Sequence, residues 1–228
     1  MKLFIHSRNK KLMKIEIWSD IACPFCFIGK RKLEKAIHKL PDSSIIQIEW
    51  KSFQLNPDLQ TDTSQSTLDY LSQTKRWTRE QTVRMMAQVA SMGKVEGIDF
   101  DFEHTLVANT KQAHRLLHLA KATGKQDELK ERFFQAYFLE GKNIDQQDIL
   151  LQNAAAVGLD KSESKAVLES AYFESEIEQD LYESRLIGVK GVPFFVFDRH
   201  YGIAGAEPDE VFDRTLQQAL QKINSGQT

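Results

Sequence analysis

The chain has very little sulfur: 228 residues contain two cysteines. With no third or fourth cysteine available, a four-thiolate zinc site and a multi-disulfide framework are both excluded. Long apolar runs are missing as well, and none approaches the roughly 20 residues needed to span a bilayer. Neither sign of charge predominates, because 30 Lys+Arg stand against 32 Asp+Glu for a net charge of -2. That balance offers no bulk attraction to nucleic acid or to an anionic membrane. The first twelve residues, MKLFIHSRNKKL, lack both the apolar stretch of about 7–15 residues and the small-residue cleavage site of an export signal. They read as a disordered extension over 1–12, with Met13 as a candidate start, and point to a cytoplasmic protein whose thiols stay reduced. There is no internal repeat and no low-complexity tract. A hydrophobic content of 41% over 26.2 kDa is enough for a full core.

Both cysteines fall in one tetrapeptide, Cys23-Pro24-Phe25-Cys26. Lys14 to Ser19 before it alternates as a strand, with Ile15, Ile17 and Ser19 on one face and Glu16 and Trp18 on the other. After it, Ile28, Leu33, Ala36, Ile37 and Leu40 recur at close to helical spacing. A C-x-x-C at a strand-to-helix junction reads as redox-active. The nucleophile in disulfide exchange is the thiolate, and a free cysteine with a pKa near ~8.5 is mostly protonated at neutral pH. Unpaired amides and the positive dipole end at a helix start favour the anion. Cys23 sits there, and Pro24 suits the first turn because its missing N–H is not needed. Cys23 is therefore expected to attack and Cys26, one turn further in and more buried, to resolve. The thiol of Cys23 is expected to ionise below the free value. A structural disulfide closing so short a loop would add little stability.

Elsewhere, Ile45 to Phe53 alternates as a second strand ending at Asn56-Pro57-Asp58, and the polar stretch Gln60 to Ser66 reads as a linker. Helical patterns then run over 67–75, 78–93, 110–122, 126–140, 146–157, 162–171 and 174–187. Thr78 with Gln81, Asp145 with Asp148, and Asp160 with Glu163 resemble capping boxes or near variants. Strand character returns at Pro193 to Phe197 and Tyr201 to Ala204, and Pro208 opens a last helix to Ile223. The layout is α/β: a βα-type start and a ββα finish enclosing a helical block.

Four segments carry a family resemblance: CPFC, FQLNP after the second strand, NT..AHRL in the helical block, and GVPFFVFDRHYGIAGAEP near the end. In this order they resemble the cytoplasmic DsbA-like (FrnE-like) thiol–disulfide oxidoreductases, a group similar to 2-hydroxychromene-2-carboxylate isomerases and kappa-class glutathione transferases. The resemblance implies a thioredoxin fold over 13–62 and 187–225, with an all-helical domain inserted at 63–186. It implies a cis bond at Val192-Pro193 opposite the cysteines, where the backbone of Val192 would meet substrate, and it makes Pro24 and Phe25 substrate contacts. In the isomerase and transferase relatives the NT..AHRL region lines a substrate or glutathione pocket, so Asn109 is expected in a pocket and His114 in a structural role.

His114 and His118 are i,i+4, but Arg115 follows His114 and no H-E-x-x-H is present, so no metal is expected; His104 adds no pattern, and His200 reads as a solvated loop residue. Phe133, Phe134, Tyr137 and Phe138 read as core, with a share of the cluster facing a groove above Cys23 as the minor alternative. Gly191 is expected to allow a close approach at the active site. The leading expectation is an oxidoreductase or isomerase that exchanges disulfides of proteins or small molecules, without a bound cofactor and with glutathione as a candidate thiol substrate. The alternative is a glutathione-dependent isomerase or transferase, and intact CPFC argues against it. A non-catalytic binding module or chaperone on the same fold is the third reading. The chain is expected as a monomer or homodimer.

Overall fold

The computed structural model describes residues 12–225. Of the extension expected over 1–12, all but the exposed Leu12 lies outside the described residues. Strand β1 (Met13–Ser19) leads into helix α1 (Pro24–His38), which returns the chain to strand β2 (Ile46–Ser52). β1 and β2 pair in parallel, with Ile15 opposite Ile48 and Ile17 opposite Trp50. The chain next passes through β3 (Asp62–Ser66), α2 (Thr67–Lys75), α3 (Arg79–Val95) and β4 (Leu106–Val107). Helices α4 (Lys111–Ala122), α5 (Gln126–Phe138), α6 (Gln147–Ala156), α7 (Lys161–Leu168) and α8 (Glu174–Leu186) follow. It then returns to the sheet as the hairpin β5 (Phe194–Phe197) and β6 (Tyr201–Ala204), and ends in α9 (Asp209–Ser225). β5 lies antiparallel to β1, giving the order β2-β1-β5-β6. This is a thioredoxin fold with a helical insertion. No helix among the described residues is long and apolar enough to cross a membrane.

Two apolar clusters meet at α1. In one, Met13, Ile15 and Ile17 of β1 and Phe195 and Phe197 of β5 pack with Leu33 and Ala36 of α1 and Phe212 and Leu216 of α9. In the other, Cys26, Phe27 and Ile28 of the same helix pack with Leu116, Phe133, Phe134 and Phe138 of the insertion. The helix that carries the cysteines is thus gripped from both sides. The second face of β1 is not solvated, as simple alternation would suggest. Glu16 and Trp18 are both buried because α8 lies over that face. Trp18 Nε1 donates to the carbonyl of Asp180 at 2.9 Å, the Asp180 carboxylate accepts from the Ser52 amide at 2.7 Å, and Arg199 neutralises Glu16. A covered polar face of this kind requires such partners, since an unpaired buried charge is costly.

The insertion is not helical throughout. Gln60 to Ser66, expected as a linker, contains β3, which pairs antiparallel with β4. Its side chains are mostly exposed and polar, so there was no apolar alternation for a sequence reading to detect. The caps at Thr78 and Asp160 form as expected: Thr78 and Gln81 make both halves of a capping box, and Asp160 accepts from the Ser162 and Glu163 amides. Asp145 does not cap α6. Its carboxylate accepts instead from the Thr61 hydroxyl, fastening the segment before β3 to the α5–α6 loop.

Gly29 sets how closely α1 approaches β5. A β-carbon there would stand 2.9 Å from Cζ of Phe195 and 3.1 Å from Cγ of Pro193. Phe195 is fully buried and has no room to yield. Gly29→Val is therefore expected to lower stability by about 1–3 kcal/mol, the usual cost of overpacking. Urea unfolding with an unchanged midpoint would contradict this.

Candidate active site

Cys23 is the N-cap of α1, Pro24 its first residue, and no acidic side chain lies in the first turn to oppose an anion. The Cys23 side chain makes no capping hydrogen bond, and the one helix amide that acts on its sulfur, that of Cys26, favours the thiolate only weakly against the opposing effects. Its thiol donates to the carbonyl of Val192 at 3.5 Å and shares a hydrogen bond with Cys26. The Val192-Pro193 bond is cis. Cys26 is completely buried and Cys23 nearly so, at 4% exposed. The hydrogen bond to Cys26, then burial, then the charge of the Cys26 sulfur hold the Cys23 thiol well above its ordinary value. The direction is opposite to that expected from the helix terminus alone. The expectation counted the dipole but not the second sulfur or the loss of solvent, both of which disfavour a thiolate. Two adjacent sulfurs resist carrying two negative charges at once.

Beneath the cysteines lies a buried polar group that no sequence motif indicated. Asp20, at the end of β1, accepts from the Leu55 amide at 2.8 Å and the Ala22 amide at 3.4 Å, and its backbone carbonyl accepts from the Cys23 amide. His114 Nε2 of α4 lies 3.4 Å from the same carboxylate. Burial would raise Asp20, but the His114 hydrogen bond and charge, the Leu55 amide and the Lys130 ammonium outweigh it and keep the carboxyl below its ordinary value. Burial holds His114 below its ordinary value despite Asp20, so near neutral pH the contact is a hydrogen bond from a neutral ring to a carboxylate. Lys130 of α5 is fully buried; its Nζ donates to the Ser19 carbonyl and lies over the Trp50 and Phe134 rings. Burial pulls it down to about 8, against the charges of Cys26, Asp20 and Cys23, which favour the ammonium. Lys130 was legible in principle: a lysine one and two turns from Phe134 and Tyr137 falls on an apolar stripe.

A cavity of about 480 Å³ opens over Cys23. Pro24, Phe25 and Val192 line it, together with Tyr70 and Leu71 of α2, Met86 and Val89 of α3, and Phe102. Pro193 stands behind Val192 against α1 and is not part of the wall. Asn109 is absent from the wall too, although Ala108 and Thr110 on either side belong to it. Its amide is consumed locally, donating to the Leu59 carbonyl at 2.8 Å and accepting from the Lys111 amide at 2.7 Å. His114, expected to be structural, reaches the turn that precedes Cys23 through Asp20. Gly191 has open space around it and no left-handed φ, so it permits no close approach. The phenylalanine-rich segment divides: Phe133 and Phe134 are core, whereas Tyr137 and Phe138 also line the cavity. His118 bonds Ser52 and Asp180, and His104 pairs with Asp101, so each has a partner unrelated to the cysteines.

A thioredoxin fold with two cysteines at the first helix start and a cis-proline segment facing them defines a thiol–disulfide oxidoreductase class of architecture. The model of the DSBA-like thioredoxin domain matches residues 14–217, and the chain belongs to that family. It is 30% identical over 212 residues to the uncharacterized protein YwbO of Bacillus subtilis, covering 91% of this chain and 98% of that one. It is similar to the crystal structure of a probable DsbA oxidoreductase, SCO1869 from Streptomyces coelicolor, at 35% identity and a TM-score of 0.87 over 92% of this chain and 91% of that one. The cytosolic disulfide reductase DsbM of Pseudomonas aeruginosa, whose structure is also known with GSH, shares the fold at 15% identity and a TM-score of 0.67, with 91% and 98% covered.

The ammonium of Lys130 and the sulfurs stabilise each other's charged forms. Lys130→Met is expected to move the pH midpoint of alkylation of the cysteine pair upward by about one unit, as loss of a nearby opposite charge does. Iodoacetamide rates across pH, with an unshifted midpoint in the folded variant, would contradict this.

Proposed function

We propose that the protein is a cytoplasmic thiol–disulfide oxidoreductase working in the reducing or isomerising direction, through Cys23 as attacking thiol and Cys26 as resolving thiol. The observation that carries the reading is the position of the pair: Cys23 faces the cavity at the start of α1, and Cys26 lies behind it, closed to solvent. A substrate disulfide entering the cavity meets Cys23 first. Its sulfur forms a mixed disulfide with Cys23, and Cys26 then attacks Cys23 and releases the second thiol. Pro24, Phe25 and Val192 contact the bound substrate, and Pro193 holds Val192 in place from behind. Asn109 serves this site by organising the loop beside it rather than by touching substrate.

Direction follows from the electrostatics. A strongly oxidising pair owes that property to a stabilised reduced form with a very acidic thiol. Here Phe25 gives no charge or hydrogen bond, and Cys23 is held high rather than low. Lys130, which acts on both sulfurs, is fully buried and takes no part in the cavity wall. A low-molecular-weight thiol is a chemically suitable electron donor for a pair working in this direction. A glutathione-dependent isomerase or transferase has no comparable support, because such a reaction does not require a second thiol behind the first.

Cys23→Ser is expected to abolish disulfide exchange, and Cys26→Ser to accumulate mixed disulfides on Cys23. Both are read by intact mass after acid quenching and by dithiol-dependent insulin reduction. Clients trapped on Cys26 in the Cys23→Ser protein would reverse the assignment.

A further inference from the structure

Resting on the oxidoreductase reading, the shape of the site narrows the substrate. We propose that the disulfide attacked by Cys23 belongs to a small molecule with an apolar body and an anionic end, its body held between α2, α3 and the CPFC turn and its anion on Lys75.

Three observations support this assignment. First, the space in front of Cys23 is a partly enclosed cavity. Its volume of about 480 Å³ lies within the range typical of small-molecule pockets. Helices α2 and α3 contribute Tyr70, Leu71, Met86 and Val89 to its wall, which suits a compact molecule better than a long extended segment. Second, the wall is overwhelmingly apolar. Phe25, Leu71, Met86, Val89 and Phe102 face the space, and the methionines supply adaptable surface suited to rings or acyl chains. Such a wall gives a hydrophilic tripeptide little to bind, because buried polar groups need partners. Third, the wall has two charged side chains. Asp20 is buried and already hydrogen-bonded, whereas Lys75 is exposed, closes the C-terminal turn of α2, and forms no ion pair among the described residues. A free cation at the edge of an apolar cavity fits an anion on an apolar molecule.

The exchange balances without any further reactant. The Cys23 thiolate attacks one sulfur of the substrate R–S–S–R′, the S–S bond breaks, and R′–S⁻ leaves to take up a proton. The Cys26 thiolate then attacks Cys23, R–S⁻ leaves and is protonated, and the Cys23–Cys26 disulfide remains. The substrate gains two electrons and two protons, and both come from the two cysteine thiols.

The test is a single-turnover experiment with the fully reduced full-length protein. Its rates with dithiobis-nitrobenzoate (an anionic aryl disulfide), with bis(2-hydroxyethyl) disulfide and with a disulfide-bonded peptide are each divided by the rate of free dithiothreitol with the same compound, which removes intrinsic reactivity. Burying one aromatic ring should favour the aryl disulfide by at least about tenfold over the hydroxyethyl compound, with saturation. Lys75→Gln should raise the half-saturating concentration by about threefold, the scale of one exposed charge contact. Equal normalised rates without saturation, or a faster peptide, would overturn the proposal and leave the oxidoreductase reading standing. No exchange with any of the three would remove both.

Discussion

The carboxylate of Asp20 is the contact on which the site depends. One buried group receives the amide of Leu55 after β2, the amide of Ala22 before the cysteines and the ring of His114 from α4. It thereby joins the strand-to-helix turn carrying Cys23, the exit of the second strand and the inserted helices. A fully buried carboxylate is tolerated only with partners of this kind. Its pKa is lowered, so the stabilisation is present above the unfolded carboxylate value and lost as pH falls through the lower folded one. The geometry of the cysteine turn is thus tied to the assembly of the whole chain and not to α1 alone.

Above this anchor, the sheet and the insertion make different contributions. Through Gly29, the sheet brings α1 against Phe195 and Pro193 and so places Cys23 beside the carbonyl of Val192. The insertion roofs the sulfur with apolar side chains and places the Lys130 ammonium beneath it. The fold thus positions the cysteine pair, and the insertion supplies most of the cavity wall in front of it and the cation beneath it.

Much of this was legible in the sequence, for identifiable reasons. The strands at Met13–Ser19 and Ile46–Ser52 show period-two apolar residues, and α3 and α7 announce their starts through Thr78 and Asp160. The C-x-x-C needs only four adjacent residues to be recognised. The cis bond at Val192 came from family resemblance, because nothing local to Val192-Pro193 distinguishes cis from trans. What was not legible joins distant positions: Asp20 meets His114 across 94 residues and Lys130 reaches Ser19 across 111. β3 was missed because its pairing is a backbone affair with polar side chains. Asn109 shows the limit of carrying a role over by resemblance: its segment borders the cavity, but its own amide is used to hold the loop.

The central claim is that a pair with no cation between its cysteines, and with Cys23 held high, prefers the disulfide form strongly enough to act as a reductant. Equilibration of the protein with graded glutathione buffers, with the dithiol fraction read by alkylation and mass, measures this directly. With Cys23 held above the ordinary thiol value, the account predicts a potential at or below the thioredoxin value of about -270 mV. A value near about -120 mV would contradict it, because the reduced pair would then be stabilised well beyond what Lys130 and the helix terminus supply.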